Sequence, residues 1–503
     1  MKHGFDNKKY LRQQTQAILS RVDRAGDRLY LEFGGKLLFD YHASRVLPGY
    51  EPNVKMRLLT ELKDQAELII CIHAGDIEKR KIRADFGITY DADVLKIIDE
   101  TREYKIDLCA VVITRFDNQP SAILFLNKLE RRGVKVYTHK ATKGYPFDVD
   151  TIVSDEGYGA NPQIKTHKRL IVVTAPGPGS GKLGTCLSQI YHDNKNGLIA
   201  GYAKFETFPI WSLPLKHPVN IAYEAATAEL NDKNLIDPFH LEAYNTVTVN
   251  YNRDIDAFPL LRKIFERITN TQDYKSPTDM GVNCVGEGII DDEVVREASK
   301  QEVIRRWFRY SCEYAQGFTN KESVQRLEGL MNELEIRPVD RLPVIPARNA
   351  AELAEEQKRK GLDGVYVGAC LILPNGKHVT GVNSFQLTAA SSLIINAIKK
   401  LSDIPKHLHL LTPQVIESIT DLKKDVLKGK NISLNVEETL IALSISAIGN
   451  STTELAKKNL QLLRGCEMHN THILNNGDDA GLRSLGINVT TNPVFSSVNL
   501  FSS

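Results

Sequence analysis

The sequence predicts an α/β protein in two parts: a larger N-terminal part built on a P-loop-like, mostly parallel sheet with helical additions, and a smaller C-terminal α/β or α+β domain. Three observations predict it. Unbroken apolar runs alternate with helical runs through the first 170 residues, a glycine-rich strand-to-helix turn lies near residue 175, and a proline-dense stretch at 337–347 separates two patterns.

The elements follow in order. Leu29-Tyr30-Leu31-Glu32-Phe33 is a short strand that Gly34-Gly35 ends. Ala66-Glu67-Leu68-Ile69-Ile70-Cys71-Ile72 is an apolar run followed by the polar turn Ala74-Gly75-Asp76. Residues 108–113 repeat that style, and residues 121–132 read as a helix with Leu124, Leu126 and Leu129 among its apolar positions. Gly133 closes that helix, and Val134-Lys135-Val136-Tyr137 returns to a strand. Runs of this kind belong to a parallel sheet covered on both faces, and residues 1–214 form the domain that holds it.

Residues 215–336 read as a mainly helical extension, with helices at 225–230 and 294–310 and one strand, Thr246-Val247-Thr248-Val249-Asn250-Tyr251. Pro338, Pro343 and Pro346 then disfavour helix and predict an extended interdomain linker over 337–347. The C-terminal domain covers 348–503. It opens with a strand at 365–373, the hairpin signal Pro374-Asn375-Gly376-Lys377 and a partner strand at 378–380. Helices follow at 388–401, 412–427, 436–448 and 452–463, and the end reads strand, helix, strand at 468–474, 478–485 and 487–490.

Composition excludes several function classes. Lys+Arg of 64 against Asp+Glu of 62 leaves a net charge of +2, so no nucleic-acid partner is expected. No stretch is apolar for long enough to span a bilayer, and no apolar segment of a secretory signal follows Met1-Lys2-His3-Gly4. Seven cysteines without a CxxC pair suit free thiols in a reducing cytoplasm. The expectation is a cytoplasmic protein with no membrane partner, and self-association into a homo-oligomer is compatible with it.

The strongest motif begins at the strand Leu170-Ile171-Val172-Val173-Thr174, which runs into Ala175-Pro176-Gly177-Pro178-Gly179-Ser180-Gly181-Lys182. Leu183, Cys186, Leu187, Ile190 and Tyr191 then fall on the stripe of a helix lying on a sheet. Strand, glycine-rich loop, lysine and helix occur in the order that turns backbone N–H groups and a helix N-terminus toward a phosphate. Gly177, Gly179, Ser180, Gly181, Lys182 and Thr185 are the expected binding residues. Two departures from the pattern stand out. Pro176 takes the place of its first glycine, and Leu183 takes the place of the magnesium-ligating hydroxyl, for which Thr185 and Ser180 are the nearest substitutes.

Gly201-Tyr202-Ala203-Lys204-Phe205-Glu206 reads as the next parallel strand, with its carboxyl end beside the loop. Lys204 and Glu206 share one face of it. Charge is costly in a buried strand unless paired or functional, so the two either form a salt bridge or place Lys204 on phosphate and Glu206 as base or metal ligand. This strand is similar to the Gly-Tyr-x-Lys-type strand that follows the loop in dethiobiotin-synthetase-like P-loop enzymes, a likeness confined to about 40 residues.

Other polar groups cluster among turn formers: Asp40 to Arg45, Lys216 to Asn220, Asp237 to Glu242, Asn250 to Asp254 and Lys275 to Gly281. Such clusters serve as caps as readily as catalysts. Gathered in one cleft, they would supply Arg45 and Arg253 as anion clamps and His240 as acid/base. Cys466, His469 and His472 offer a zinc or iron donor set at three-residue spacing, although a strand would turn His469 and His472 to opposite faces. Lys406-His407-Leu408-His409 reads as a half-exposed edge strand, and Arg305-Arg306 as a surface pair over a buried Trp307 or a stacking site for a base or phosphate.

Several of these segments, taken together, resemble one family. They are Leu31-Glu32-Phe33-Gly34-Gly35-Lys36, the stretch from Asp40 to Gly49, Thr174 to Lys182, Thr185 to Gln189, Ala203 to Trp211, Lys216 to Asn220, Asn250 to Asp254 and Ser276 to Asn283. The chain resembles, over nearly its whole length, a bacterial family of about 500-residue proteins defined as a domain of unknown function. The resemblance implies a two-part architecture, and it implies that Pro176 and Leu183 are the family's own pattern.

The expected function is that of an atypical P-loop enzyme. It would bind a nucleotide or phosphorylated metabolite at 177–185 and transfer or activate a phosphoryl group on a small acid or amine. ATP or another phosphate ligand with magnesium is the expected cofactor. Lys182 stabilises developing charge, Lys204 and Glu206 position substrate or metal, and His240 and Arg253 complete the catalytic set. A regulatory module that holds a phosphometabolite without breaking a bond is the first alternative. A metal-dependent hydrolase or deaminase on Cys466, His469 and His472 is the second.

Overall fold

The computed structural model describes residues 3–83, 87–358 and 360–497. Met1 and Lys2, in the segment read for a leader, lie outside the described residues. The chain divides into two units, Lys2–Ser299 and Lys300–Ser503.

The N-terminal unit is organised by seven strands: β1 (Arg28–Phe33), β2 (Ala66–His73), β3 (Asp107–Thr114), β4 (Val136–His139), β5 (Leu170–Thr174), β6 (Ala200–Phe205) and β7 (Gly281–Val282). They lie in the order β7-β6-β1-β5-β2-β3-β4, and every neighbouring pair is parallel. All of β5, and all of β2 except His73, is buried, as continuous apolar strands must be when both faces are covered.

Helix α1 (Asn7–Arg24) begins at Asp6, whose carboxylate accepts from the N–H groups of Lys8 and Lys9. Helix α2 (Lys182–Lys195) follows β5. Its Cys186, Leu187 and Ile190 are buried against Ile171 and Val173 of β5 and Ile69 and Cys71 of β2, the face that Phe258, Leu261 and Ile264 also cover. Leu183 and Tyr191 flank that core, so the predicted stripe is the packed one.

The topology decides where a site can form. From β2 the chain proceeds outward to β3 and β4, whereas from β5 it proceeds the other way to β6 and β7. Connections leaving the carboxyl ends of adjacent β2 and β5 therefore diverge, and that divergence opens the crevice in which such sheets bind ligands. Although β6 is parallel to β5, β1 lies between them, so the strand carrying Lys204 is second from the loop strand. Residues 215–299 do more than add helices, because β7 extends the main sheet and residues Asn234–Ile236 and Val249–Tyr251 form an antiparallel ribbon.

The C-terminal unit holds β8 (Gly368–Ile372), β9 (His378–Val382), β10 (Glu467–Asn470) and β11 (Asn488–Thr491) in the order β9-β8-β10-β11. The β8–β9 pair is the predicted hairpin, and Gly376 adopts φ 80° in its turn. Pairing is antiparallel on both sides of β8 and parallel between β10 and β11. The apolar side of Ala369 and Leu371 packs against Leu393, Ile394 and Ile398 of the helix Ala389–Leu401.

Two expectations are corrected here. Residues 337–347 are not extended: Pro338–Asp340 is a 3-10 turn, and Val344–Glu356 is a helix with Pro343 at its N-cap and Pro346 in its first turn. Prolines are tolerated there because first-turn N–H groups have no intrahelical acceptor. Between them Arg341 is 1 % exposed, donating to Thr490 Oγ1 at 3.0 Å, to the Asn488 carbonyl at 3.2 Å and to Glu467 Oε2 at 2.5 Å. Residues 406–409 form an exposed turn, since the Pro405 carbonyl accepts from the Leu408 N–H and no neighbouring strand offers a ladder.

Removing a buried guanidinium leaves its carboxylate and carbonyl partners unmet. Arg341→Leu is expected to destabilise the C-terminal unit by about 3 kcal/mol, read as a lowered urea midpoint, and Arg341→Lys to recover part of the loss.

Candidate functional site

The glycine-rich loop leaves β5 at Thr174 and enters α2 at Gly181. Gly179 and Gly181 hold φ 72° and 83°, the left-handed region that glycine occupies without penalty. A Cβ on Gly181 would also lie 2.8 Å from Thr114 Oγ1, and one on Gly177 would lie 2.3 Å from the Tyr90 hydroxyl. Two hydroxyls hold the loop from the protein side. Thr114 Oγ1 donates to the Ser180 carbonyl at 2.8 Å, and Ser180 Oγ donates to the Gly177 carbonyl at 3.0 Å.

With those carbonyls held inward, the amides are left over. Among the described residues, no acceptor takes the N–H groups of Gly179, Gly181, Lys182, Leu183 or Gly184. The strand end, the loop and a helix of 14 residues thus assemble unsatisfied donors at a positive dipole end.

Beside the loop the sheet carries buried charge. Lys182 Nζ lies 3.7 Å from Glu32 Oε1, and the Tyr202 hydroxyl donates to Glu32 Oε2 at 2.9 Å. Glu32 sits in β1 between Val173 of β5 and Lys204 of β6, so it joins the loop side to the β6 side. Lys204 Nζ lies 2.6 Å from Glu206 Oε1 and also contacts the carboxylate of Asp254, at the start of the helix Asn252–Thr269. The salt bridge between Lys204 and Glu206 is therefore present.

Burial opposes charge on Lys204, but the carboxylates of Asp254, Glu206 and Glu32 outweigh it and keep the ammonium above its ordinary range. For Glu206, only 4 % exposed, burial prevails over the pull of Lys204, and its carboxyl is pushed up to about 7. A second buried pair stands nearby. Lys55 Nζ lies 3.0 Å from Asp40 Oδ2 and donates to the Gly34 carbonyl at 3.3 Å, directly after β1.

The structure brings Gly177, Gly179, Ser180, Gly181 and Lys182 into one loop and places Lys204 and Glu206 two strands away at the same edge of the sheet. The two substitute hydroxyls turn inward: Thr185 Oγ1 is buried 3.5 Å from the Cys71 thiol, and Ser180 is used as described. His240 lines a separate cleft with Ser276 Oγ 2.9 Å from its Nδ1, and none of the loop residues lines that cleft. The Arg253 guanidinium is engaged by Asp232, with one N–H···O contact at 2.9 Å. Arg45 lies in the short helix Tyr41–Val46.

His217 caps the helix Pro218–Ala226 through Nδ1 and places Nε2 2.9 Å from Asp292 Oδ1, while Asn220 clamps the Ile210 backbone from both sides. These are structural uses.

The Cys466, His469 and His472 set does not converge, and among the described residues no group of three or more His, Cys, Asp and Glu could hold a metal ion. His469 Nδ1 is 2.9 Å from Thr490 Oγ1 and Nε2 is 3.2 Å from Asn492 Oδ1, so both ring nitrogens are engaged. Burial and then Arg341 lower its pKa to about 3. Nor is Arg305-Arg306 a loose surface pair. Arg305 donates to both Glu467 oxygens at 3.0 Å, Arg306 is buried on Glu302, and Trp307 is only half-buried.

Sequence reasoning missed Glu32 and Thr114, and it placed Asp254 in a polar cluster without making it the partner of Lys204. An acid inside Leu29-Tyr30-Leu31-Glu32-Phe33 was a usable signal, because a charge in such a strand calls for a partner.

Fold and site together define a two-part α/β protein: a seven-stranded parallel sheet with a glycine-rich loop at its switch point, and a smaller mixed-sheet domain. The chain belongs to the family whose models are described as "Domain of unknown function DUF1846, N-terminal", matching residues 3–335, and "Domain of unknown function DUF1846, C-terminal", matching residues 339–501. It is 55% identical over 502 residues to a "UPF0371 protein" of Clostridium tetani (strain Massachusetts / E88), covering 100% of this chain and 99% of that one. The same identity and coverage hold for "UPF0371 protein CLL_A2797" of Clostridium botulinum (strain Eklund 17B / Type B). A "UPF0371 protein" of Clostridium botulinum (strain Langeland / NCTC 10281 / Type F) is 54% identical, again covering 100% of this chain and 99% of that one.

The raised Glu206 carboxyl has a thermodynamic signature. From the ordinary 4.5 to about 7, the folded state binds this proton and the unfolded state does not. The resulting stability is complete below pH 4.5 and is lost as pH rises through 7. The urea midpoint of the unaltered protein should fall between pH 5 and pH 8 by the equivalent of ~3 kcal/mol, whereas Glu206→Gln should flatten that slope.

Proposed function

We propose that this chain is an enzyme that grips a phosphate-bearing small molecule, a nucleotide or a phosphorylated metabolite, at residues 177–185 and transfers or activates its phosphoryl group. The observation that carries the reading is the set of loop and helix amides with no acceptor of their own, facing the crevice where β2 and β5 connections diverge. Lys182 supplies a cation to that oxyanion and leaves Glu32 to do so. A 3.7 Å ion pair is a loose tether that a phosphate outbids.

Magnesium, with ATP or another phosphate ligand, belongs to this proposal. Glu32 is the carboxylate for it, since it ends a strand adjacent to β5 and the loop hydroxyls turn inward. Glu206, close to half-protonated near neutrality and beside a permanent cation, suits proton transfer with a small acid or amine. All seven cysteines are free, and among the described residues no helix is long and apolar enough to cross a membrane. Both accord with the reducing cytoplasm as the setting.

One observation favours a second reading. Leu183 withholds the usual magnesium hydroxyl, which suits a regulatory module that holds the ligand without reaction. Calorimetric titration with ATP, GTP, coenzyme A and pyrophosphate, with and without magnesium, is expected to show saturable binding of at least one. Lys182→Ala should weaken it by roughly 10- to 100-fold. Unchanged affinity in that variant removes both readings. Binding that is indifferent to magnesium, with no phosphate released on incubation, selects the regulatory one.

A further inference from the structure

A cleft of about 580 Å³ opens beside β7, the edge strand of the main sheet opposite β4, and residues on both sides of that strand line it. Ile210, Trp211 and Ser212 come from the segment after β6, and Cys284 and Glu287 from the segment after β7. Two glycines shape it. A Cβ on Gly281 would lie 2.4 Å from the Trp211 ring, and one on Gly286 would lie 2.5 Å from Ser212 Oγ. The indole therefore lies against bare backbone, a fit that hydrogen alone permits.

Three side chains that carry N–H groups line this cleft. Trp211 Nε1 is buried and, among the described residues, has no hydrogen-bond partner, a deficit that a ligand acceptor would relieve. His240 is the second. Ser276 Oγ already accepts from the Asp279 N–H at 3.1 Å, and it lies 2.9 Å from His240 Nδ1. Asp279 Oδ1 stands 3.8 Å from the same nitrogen, so Nδ1 is engaged from the protein side and Nε2 is the ring nitrogen left for a ligand. Arg21 is the third, its Nη2 donating to the Gly281 carbonyl at 3.1 Å, which pins the guanidinium to the wall.

Two acids, Asp279 and Glu287, also line the cleft. Asp279 Oδ2 accepts from the Tyr244 hydroxyl at 2.9 Å and from the Lys275 N–H at 3.0 Å. Ile210, Val247 and the indole face supply an apolar wall.

We infer that this cleft binds a small organic carboxylate, its two oxygens accepting from Trp211, His240 and Arg21 and its carbon body lying along the indole. The cleft is three strands from the loop strand, so the inference stands independently of phosphate binding there.

The chain has two tryptophans, so Trp307→Phe leaves Trp211 as the only fluorophore of its type. Titration of that variant with acetate, benzoate and phenylacetate, each beside its amide, is expected to give a saturable change in emission for at least one carboxylate. The matching amide should bind at least about tenfold more weakly, since it lacks the charge that the guanidinium meets. Calorimetry on the unaltered chain with the same pairs serves as the second measurement. Arg21→Gln and His240→Gln should each weaken carboxylate binding by about tenfold or more, while Lys182→Ala leaves it unchanged. Equal affinity for acid and amide, or no saturation by ~10 mM with any of the three acids, overturns the assignment. Loss of carboxylate binding in Lys182→Ala would return it to the loop.

Discussion

A parallel sheet buried on both faces confines its polar chemistry to its rims. Side chains of β2 and β5 have no water to meet along their length, so any charge in these strands must be matched by another charge or sit where the strand ends. The buried carboxylates and ammonium groups of the N-terminal unit obey this constraint. Glu32 is the penultimate residue of β1, Lys204 the penultimate residue of β6, and Glu206 immediately follows β6. These charges collect at the carboxyl edge, whereas Glu67, buried near the start of β2, is held by the N–H groups of His167 and Lys168.

Electrostatics within that edge are asymmetric. Lys204 faces three carboxylates and remains a cation, whereas Glu206 has one close cation and loses against burial. Glu32 links this group to Lys182 while also accepting from Tyr202, so loop and β6 share one polar chain across two strands. Displacing Lys182 toward a ligand would leave Glu32 with a phenol and a lysine as its neighbours, which couples the state of the loop to the protonation of the cluster.

Much of the architecture was legible from local pattern. The strand at Leu170–Thr174, the helix after it and the hairpin at Asn375-Gly376 need only short-range information, and each is present. What local pattern could not reveal was long-range. That β1 inserts between β5 and β6 follows from topology, and the partners Asp254 and Thr114 come from far along the chain. Proline density misled at 337–347, because a proline in a first helical turn and one in an extended linker look alike until Arg341 is seen to anchor the segment. The spacing of Cys466, His469 and His472 resembled a donor set, but β10 spends His469 on Thr490 and Asn492.

The hydroxyl of Thr114 reaches from the end of β3, across β2, to the carbonyl of Ser180. A glycine-rich turn left to itself would sample many shapes, and an incoming anion would have to freeze one of them. Cross-bracing by a neighbouring connection removes most of that disorder in advance. Capture at such a turn is then governed by how readily the guest diffuses in and sheds its hydration, with little rearrangement of the host.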